Sequence, residues 1–299
     1  MQDKNKSIYV WVFVALIFAA SLAMQYASVK TAPIPASAIG LFLGVLGFIF
    51  WRVVYKKPII EIYSQTYPYR RLKPWGVVSA FVLFEYVLAR GLYSGNLKLD
   101  NEHFYYIIAI FIGTIAFYFS FIRMKISLKY LFYGIFIPLL AFGAAMGFGK
   151  YFEFINFSVL NIFYWVLFNI LYQLVCEEPV FRGIIVKKLS LKGEKQAILI
   201  SSVIFAMWHV IFMPVEGIDF LKIVFNLGEN FIVGCLLAVL FLKGKNLLIP
   251  AISHGIINGL KFGIFSGEGS YGFTMLWLAC LSVGTILLVT IPEKKRPSR

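Results

Sequence analysis

Apolar runs of about membrane-spanning length, separated by short polar breaks, fill almost the whole chain. They fall near 8–29, 34–54, 75–93, 104–122, 130–148, 157–186, 196–213, 219–242, 246–265 and 271–291. A bilayer core about 30 Å thick takes roughly 20 apolar residues per helix, so the pattern predicts an all-α, polytopic transmembrane bundle of about ten spans. The breaks carry turn chemistry: Lys30-Thr31-Ala32-Pro33, the polar stretch from Lys56 to Lys73, Leu191-Lys192-Gly193-Glu194, Met213-Pro214, Lys243-Gly244-Lys245-Asn246 and Ser266-Gly267-Glu268-Gly269-Ser270. Composition agrees, with 60% hydrophobic and 14% charged residues among 299 and a mean hydropathy of +0.82, outside the range of soluble domains.

Charge changes the picture by adding orientation. A formal net charge of +14 would suggest nucleic acid as a partner of a soluble chain, but here the basic residues sit between apolar runs, where they set topology and meet anionic lipid headgroups. Nucleic acid is therefore not expected as a partner. With the N-terminus inside, 21 of the 28 Lys and Arg residues lie on inner loops or tails, the largest groups at Arg52–Lys73, Arg123–Lys129, Lys187–Lys195 and Lys294–Arg299. The expectation is an integral plasma-membrane protein with both termini cytoplasmic. The first run follows Lys4 and Lys6 and contains the small residues Ala19-Ala20-Ser21-Leu22-Ala23, as a signal peptide would. Its span length and direct passage into the second run favour an uncleaved helix. Cys176, Cys235 and Cys280 lie inside apolar runs without paired spacing, which argues against a disulfide framework or a zinc finger.

Ionisable groups at membrane depth are costly and mark candidate function. The sixth run ends in Cys176-Glu177-Glu178-Pro179-Val180-Phe181-Arg182-Gly183, the seventh holds Phe205-Ala206-Met207-Trp208-His209, and the ninth holds His254-Gly255-Ile256-Ile257-Asn258. Glu178 and Arg182, four apart, share a helix face and can pair, while Glu177 points about 100° away and is free for another task. His254 and Asn258 share a face in the same way, and Phe205 lies one turn from His209 as a ring support. Gly255, Gly259 and Gly263 allow close helix approach beside the polar pair, and Pro179 should kink or break its helix. These parts suit hydrolysis by activated water: Glu177 as general base, His209 orienting or sharing the proton, and His254 with Asn258 donating to a developing oxyanion. Glu85 and Arg90 in the third span, and Asn226, Glu229 and Asn230 in the eighth, are also polar at membrane depth. Glu229 reads either as a cavity residue or as a structural hydrogen-bonding group, and Lys261 as a side chain snorkelling to the outer interface.

The ordered set EExxxR, FxxxH, HxxxN on successive membrane helices resembles the CAAX protease and bacteriocin-processing family of intramembrane glutamic endopeptidases. The stretch FIVGCLLAVLFLKGKNLLIPAISHGIIN, from Phe231 to Asn258, is also similar to that family's glycine-bearing helix, basic turn and HxxxN helix. The resemblance covers about 160–262 and suggests a division into 1–128, helices without a recognised motif, and 129–299, a protease core with a polar cavity among spans six to nine. It implies catalytic roles for Glu177, His209, His254 and Asn258 and support from Glu178 and Arg182. The family includes eukaryotic enzymes that trim prenylated CAAX proteins and bacterial members tied to peptide pheromone maturation, bacteriocin production or self-immunity, and the short loops and Phe- and Lys-rich composition look more like a bacterial member.

Two other readings use the same residues. Glu177, His209 and His254 offer a carboxylate and two imidazoles to zinc, although no HExxH motif supports that reading and no cofactor is expected. A transporter, or an immunity or scaffold protein that binds a peptide without cutting it, would also carry intramembrane polar groups. Counting rise along the sixth and ninth spans places Glu177 and His254 nearer the cytoplasmic side, so a membrane-associated peptide or protein substrate is expected to approach from there.

Overall fold

The computed structural model describes residues 2–30, 36–63, 74–93, 95, 101–122, 126–148, 159–211, 220–264 and 271–291. Within the described residues each of the ten apolar runs is mainly helical: α1 (Gln2–Lys30), α2 (Ala36–Tyr55), the short α3 (Ile60–Tyr63), α4 (Pro74–Tyr93), α5 (Asn101–Ile122), α6 (Leu128–Phe148), α7 (Val159–Gln173), a π-helix (Pro179–Val186), α8 (Lys187–Leu189), α9 (Glu194–Ile211), α10 (Phe220–Gly244), α11 (Leu248–Ile264) and α12 (Tyr271–Thr290). By length and composition six are able to cross a membrane among the described residues, and Val159–Gln173 and Met275–Thr290 are shorter apolar helices. One of the runs that falls short is the sixth, which is not one α-helix: α7 stops at Gln173 and a turn precedes the π-helix. The breaks at Met213-Pro214 and Ser266–Ser270, the loop residues Arg70, Arg71, Lys73, Arg123 and Lys125, and the basic tail from Lys294 lie outside the described residues.

Helix surfaces invert the usual soluble pattern. Leu16, Val53, Phe104, Leu140, Val203, Met275 and Ile286 are exposed, whereas Glu178, Arg182 and His254 are buried. Stripes of exposed large side chains on so many helices call for a bilayer around them. The protein is an integral membrane bundle.

Four elements build its centre: α7, the π-helix, α9 and α11, with α10 against α9. α7 and α11 approach closely because glycine faces the neighbour's backbone. A Cβ at Gly259 would sit 2.6 Å from Val166 Cα, and one at Gly255 would collide with Ile170. This close contact is what carries His254 to the end of α7. Gly259→Leu is therefore expected to push the two helices apart, at a cost of about 1–3 kcal/mol for overpacking, and to lower the thermal unfolding midpoint in detergent.

The Pro179 break leaves backbone carbonyls without helical partners, and the protein answers from the N-terminal half. The Tyr63 hydroxyl donates to the Leu174 carbonyl at 3.0 Å. Ile62, fully buried, fills the space left open by Gly183 of the π-helix. The segment is tied down by the Leu247 amide to the Tyr63 carbonyl at 2.8 Å, by Trp51 Nε1 to the Pro58 carbonyl at 3.1 Å, and by Lys187 Nζ to the Glu61 carbonyl. Residues 58–63 thus close the bundle beneath the broken helix, at the end that carries Arg52, Lys56, Lys57, Lys187 and Lys188.

Candidate active site

Breaking the helix just before Pro179 places the two glutamates in different surroundings. Glu178 is fully buried, with Oε2 3.3 Å from Arg182 Nε, so the spacing-based pairing is present. Glu178 has a second partner that spacing did not show: His254 Nδ1 lies 2.8 Å from Oε1. Since a carboxylate oxygen accepts, His254 Nδ1 carries the hydrogen and donates. The Arg182 guanidinium lies 4.2 Å over the Phe205 ring, a favourable cation–π position in a site screened from water.

Glu177 points the other way, as the helical angle predicted. Its Oε2 lies 3.8 Å from His209 Nε2, at side-chain exposures of 14% and 25%. His209 Nδ1 is 2.9 Å from the Phe205 carbonyl one turn earlier. A carbonyl only accepts, so Nδ1 bears the hydrogen, and when the ring is neutral Nε2 is the lone-pair nitrogen turned toward Glu177. Phe205 is the hub of the arrangement, with its ring 4.4 Å from that of His209 and 5.8 Å from that of His254. The Phe205 ring packs against His209 one helical turn away.

A cavity of about 590 Å³ joins these groups, lined among others by Gln173, Glu177, His209, His254 and Asn258. One wall is aromatic, with Tyr106 of α5 at 5.4 Å from Phe168 and 5.5 Å from Tyr172 between ring centroids. The other is polar, with Asn226, Glu229 and Asn230 of α10 and Lys261 of α11. The Asn230 amide donates to the Asn226 side-chain oxygen at 3.0 Å, and Lys261 pairs with Glu229. So Glu229 is a cavity residue and Lys261 is held by an ion pair. Gly40 of α2 and His103 of α5 also line the space, which extends the predicted cavity beyond spans six to nine into the helices that showed no motif. Tyr106, Tyr172 and Gln173 were missed because aromatic and amide residues in an apolar run look like packing. Glu85 is exposed on α4 and Arg90 lies against Tyr93; neither lines the cavity.

Residues 158–260 match the model of the Rce1-like family, described as type II CAAX prenyl endopeptidase Rce1-like. The matched segment is a Rce1-like segment. It contains Glu177, His209, His254 and Asn258, and its limits lie close to the 160–262 stretch marked by the motifs. No curated protein matches the chain. The match likens residues 158–260, in general terms, to CAAX-type membrane proteases.

Among the described residues no group of three His, Cys, Asp or Glu side chains is arranged to hold a metal ion. Glu178 engages His254 Nδ1, and Glu177 faces His209 as a pair. Glu177 and His209 thus present a carboxylate and an imidazole to the cavity.

Proposed function

We propose that the protein is an intramembrane endopeptidase that hydrolyses a peptide bond with water activated by Glu177 and His209. The observation that carries this reading is the pair of acceptors facing one another across 3.8 Å, Glu177 Oε2 and His209 Nε2. The species that satisfies both is a donor of two hydrogens. A water about 2.8 Å from each would sit at the apex of a triangle, with its oxygen lone pairs turned to the cavity.

Attack on the scissile carbonyl forms the new C–O bond, and the water's proton passes to the Glu177–His209 pair. Charge develops on the carbonyl oxygen, where Asn258 donates one hydrogen bond. His254, its Nδ1–H committed to Glu178, has Nε2 available to donate a second when protonated. Collapse of the tetrahedral intermediate breaks the C–N bond, and the leaving amine takes the proton back from the pair. No covalent enzyme intermediate is needed. Loss of an oxyanion donor typically costs about 10²–10³ in rate.

The substrate class that suits the site is a membrane-associated peptide or protein. Within that class, bacterial peptide pheromone or bacteriocin maturation, or self-immunity, are the proposed settings. The deciding experiment compares the membrane peptidome and secreted small peptides of cells carrying wild type, Glu177→Ala and His254→Ala. A precursor that accumulates uncut in both variants supports proteolysis and names the substrate. If both variants accumulate normally and match wild type while a deletion has a phenotype, the site binds or scaffolds instead. Cleavage by the purified protein is expected to persist in the presence of chelator; its loss would favour zinc at Glu177 and the histidines.

A further inference from the structure

The direction in which the cavity runs differs from the direction that helix counting gave. Its lining reaches the first turns of α2, α5 and α10 and the last turns of α9 and α11, at Gly40, His103, Asn226, His209 and Lys261. These helix ends all belong to the end of the bundle opposite α3, α8 and the turn at Lys243–Asn246. Glu177, Gln173 and His254 form the floor.

Beneath the floor the chain is shut. Ile62 and Tyr63 are 0% and 4% exposed, and the hydrogen bonds of residues 58–63 to Leu174, Leu247 and Lys187 fix them under the π-helix. That sealed end is also the basic one, carrying Arg52, Lys56, Lys57, Lys187, Lys188, Lys192, Lys195, Lys243 and Lys245. Basic loops stay in the cytoplasm. The cavity therefore runs from a cytoplasmic seal toward the other side of the membrane.

We infer that the catalytic cavity is loaded from the extracytoplasmic face, and that its substrate is a peptide segment exposed on that side. Naming an occupant as substrate rests on the peptidase reading above; the direction of access does not. Such a segment meets two unlike walls on its way to Glu177. Tyr106, Phe168 and Tyr172 offer stacking surface to apolar side chains, while Asn226, Asn230 and the Glu229–Lys261 pair offer partners for backbone amides and charged groups. An amphipathic peptide in extended form, whose side chains alternate between two faces, fits both walls. Helix counting pointed to the cytoplasm because it measured only how deep Glu177 and His254 lie. It carried no information on which end residues 58–63 close.

Access is tested in intact cells with a membrane-impermeant maleimide, each single-cysteine addition being compared with the otherwise native chain. Asn226→Cys is expected to label without permeabilisation, and Leu191→Cys, in the basic loop between α8 and α9, only after it. Phe220→Cys, at the exposed start of α10, reports the same end of the bundle outside the cavity and serves if Asn226→Cys does not accumulate. Labelling of Leu191→Cys from outside, or of Phe220→Cys or Asn226→Cys only from inside, overturns the inference. So does an unreactive Asn226→Cys beside a reactive Phe220→Cys, which would mean that the cavity is closed on that face. If labelling is as expected and no peptide is cut, the peptidase reading fails and the access route stands.

Discussion

Glu177→Gln protein, inserted and folded like wild type, is expected to lose about 10²–10⁴ of its cleavage rate, the usual contribution of a positioned general base. Glutamine keeps the volume and one carbonyl oxygen of the side chain but cannot take a proton. The 3.8 Å approach to His209 Nε2 is left with an amide where the carboxylate stood, and His209 alone, its Nδ1–H tied to the Phe205 carbonyl, must remove the water's proton. The measurement is single-turnover cleavage by purified protein of the precursor that accumulates in the Glu177→Ala strain. The thermal unfolding midpoint, read in parallel, should hardly move, because Glu177 faces the cavity and its charge contact to His209 is 3.8 Å long. A Glu177→Gln variant that cleaves at the wild-type rate would remove the base from the mechanism.

Glu178 should behave in the opposite manner, through stability first. It is fully buried and touches Arg182, itself 1% exposed, at 3.3 Å and His254 at 2.8 Å. Deleting one partner of a buried ion pair leaves an uncompensated charge and costs about 3–5 kcal/mol, so Glu178→Ala and Arg182→Ala are each expected to accumulate poorly and unfold early. The double variant Glu178→Leu/Arg182→Met removes both charges and keeps the volume, and should regain much of that stability. It should not regain activity, because His254 Nδ1 has lost the carboxylate that orients the ring. Folding and cleavage measured on all three variants separate the two roles. A stable double variant with full activity would reduce Glu178 to a structural group.

The legible parts of the fold were those written in local periodicity. Within the described residues each apolar run is mainly helical, the sixth in two pieces, and the position of Pro179 marked the break that separates α7 from the π-helix. The pairing of Glu178 with Arg182 followed from four-residue spacing, and the glycines at 255 and 259 anticipated the contact with α7. Less legible were relations between segments distant in the chain. Tyr63, an unremarkable aromatic residue at the edge of a polar stretch, satisfies the Leu174 carbonyl 111 positions away. Tyr106 and Gly40 belong to helices without motif and yet line the cavity.

By itself, the sequence determined that this is a helical membrane protein, which residues are too costly to place in a membrane without purpose, and which of them share a helix face. Those properties depend on burial energetics and on a helix repeat of 3.6 residues, both local. Only the tertiary structure decided that Glu178 answers to His254 as well as Arg182, that Glu177 faces His209, and that residues 58–63 shut one end of the cavity. Each of these depends on how separate helices are placed side by side, through glycine contacts and hydrogen bonds to carbonyls freed by a broken helix. No spacing along a single helix encodes the distance to another.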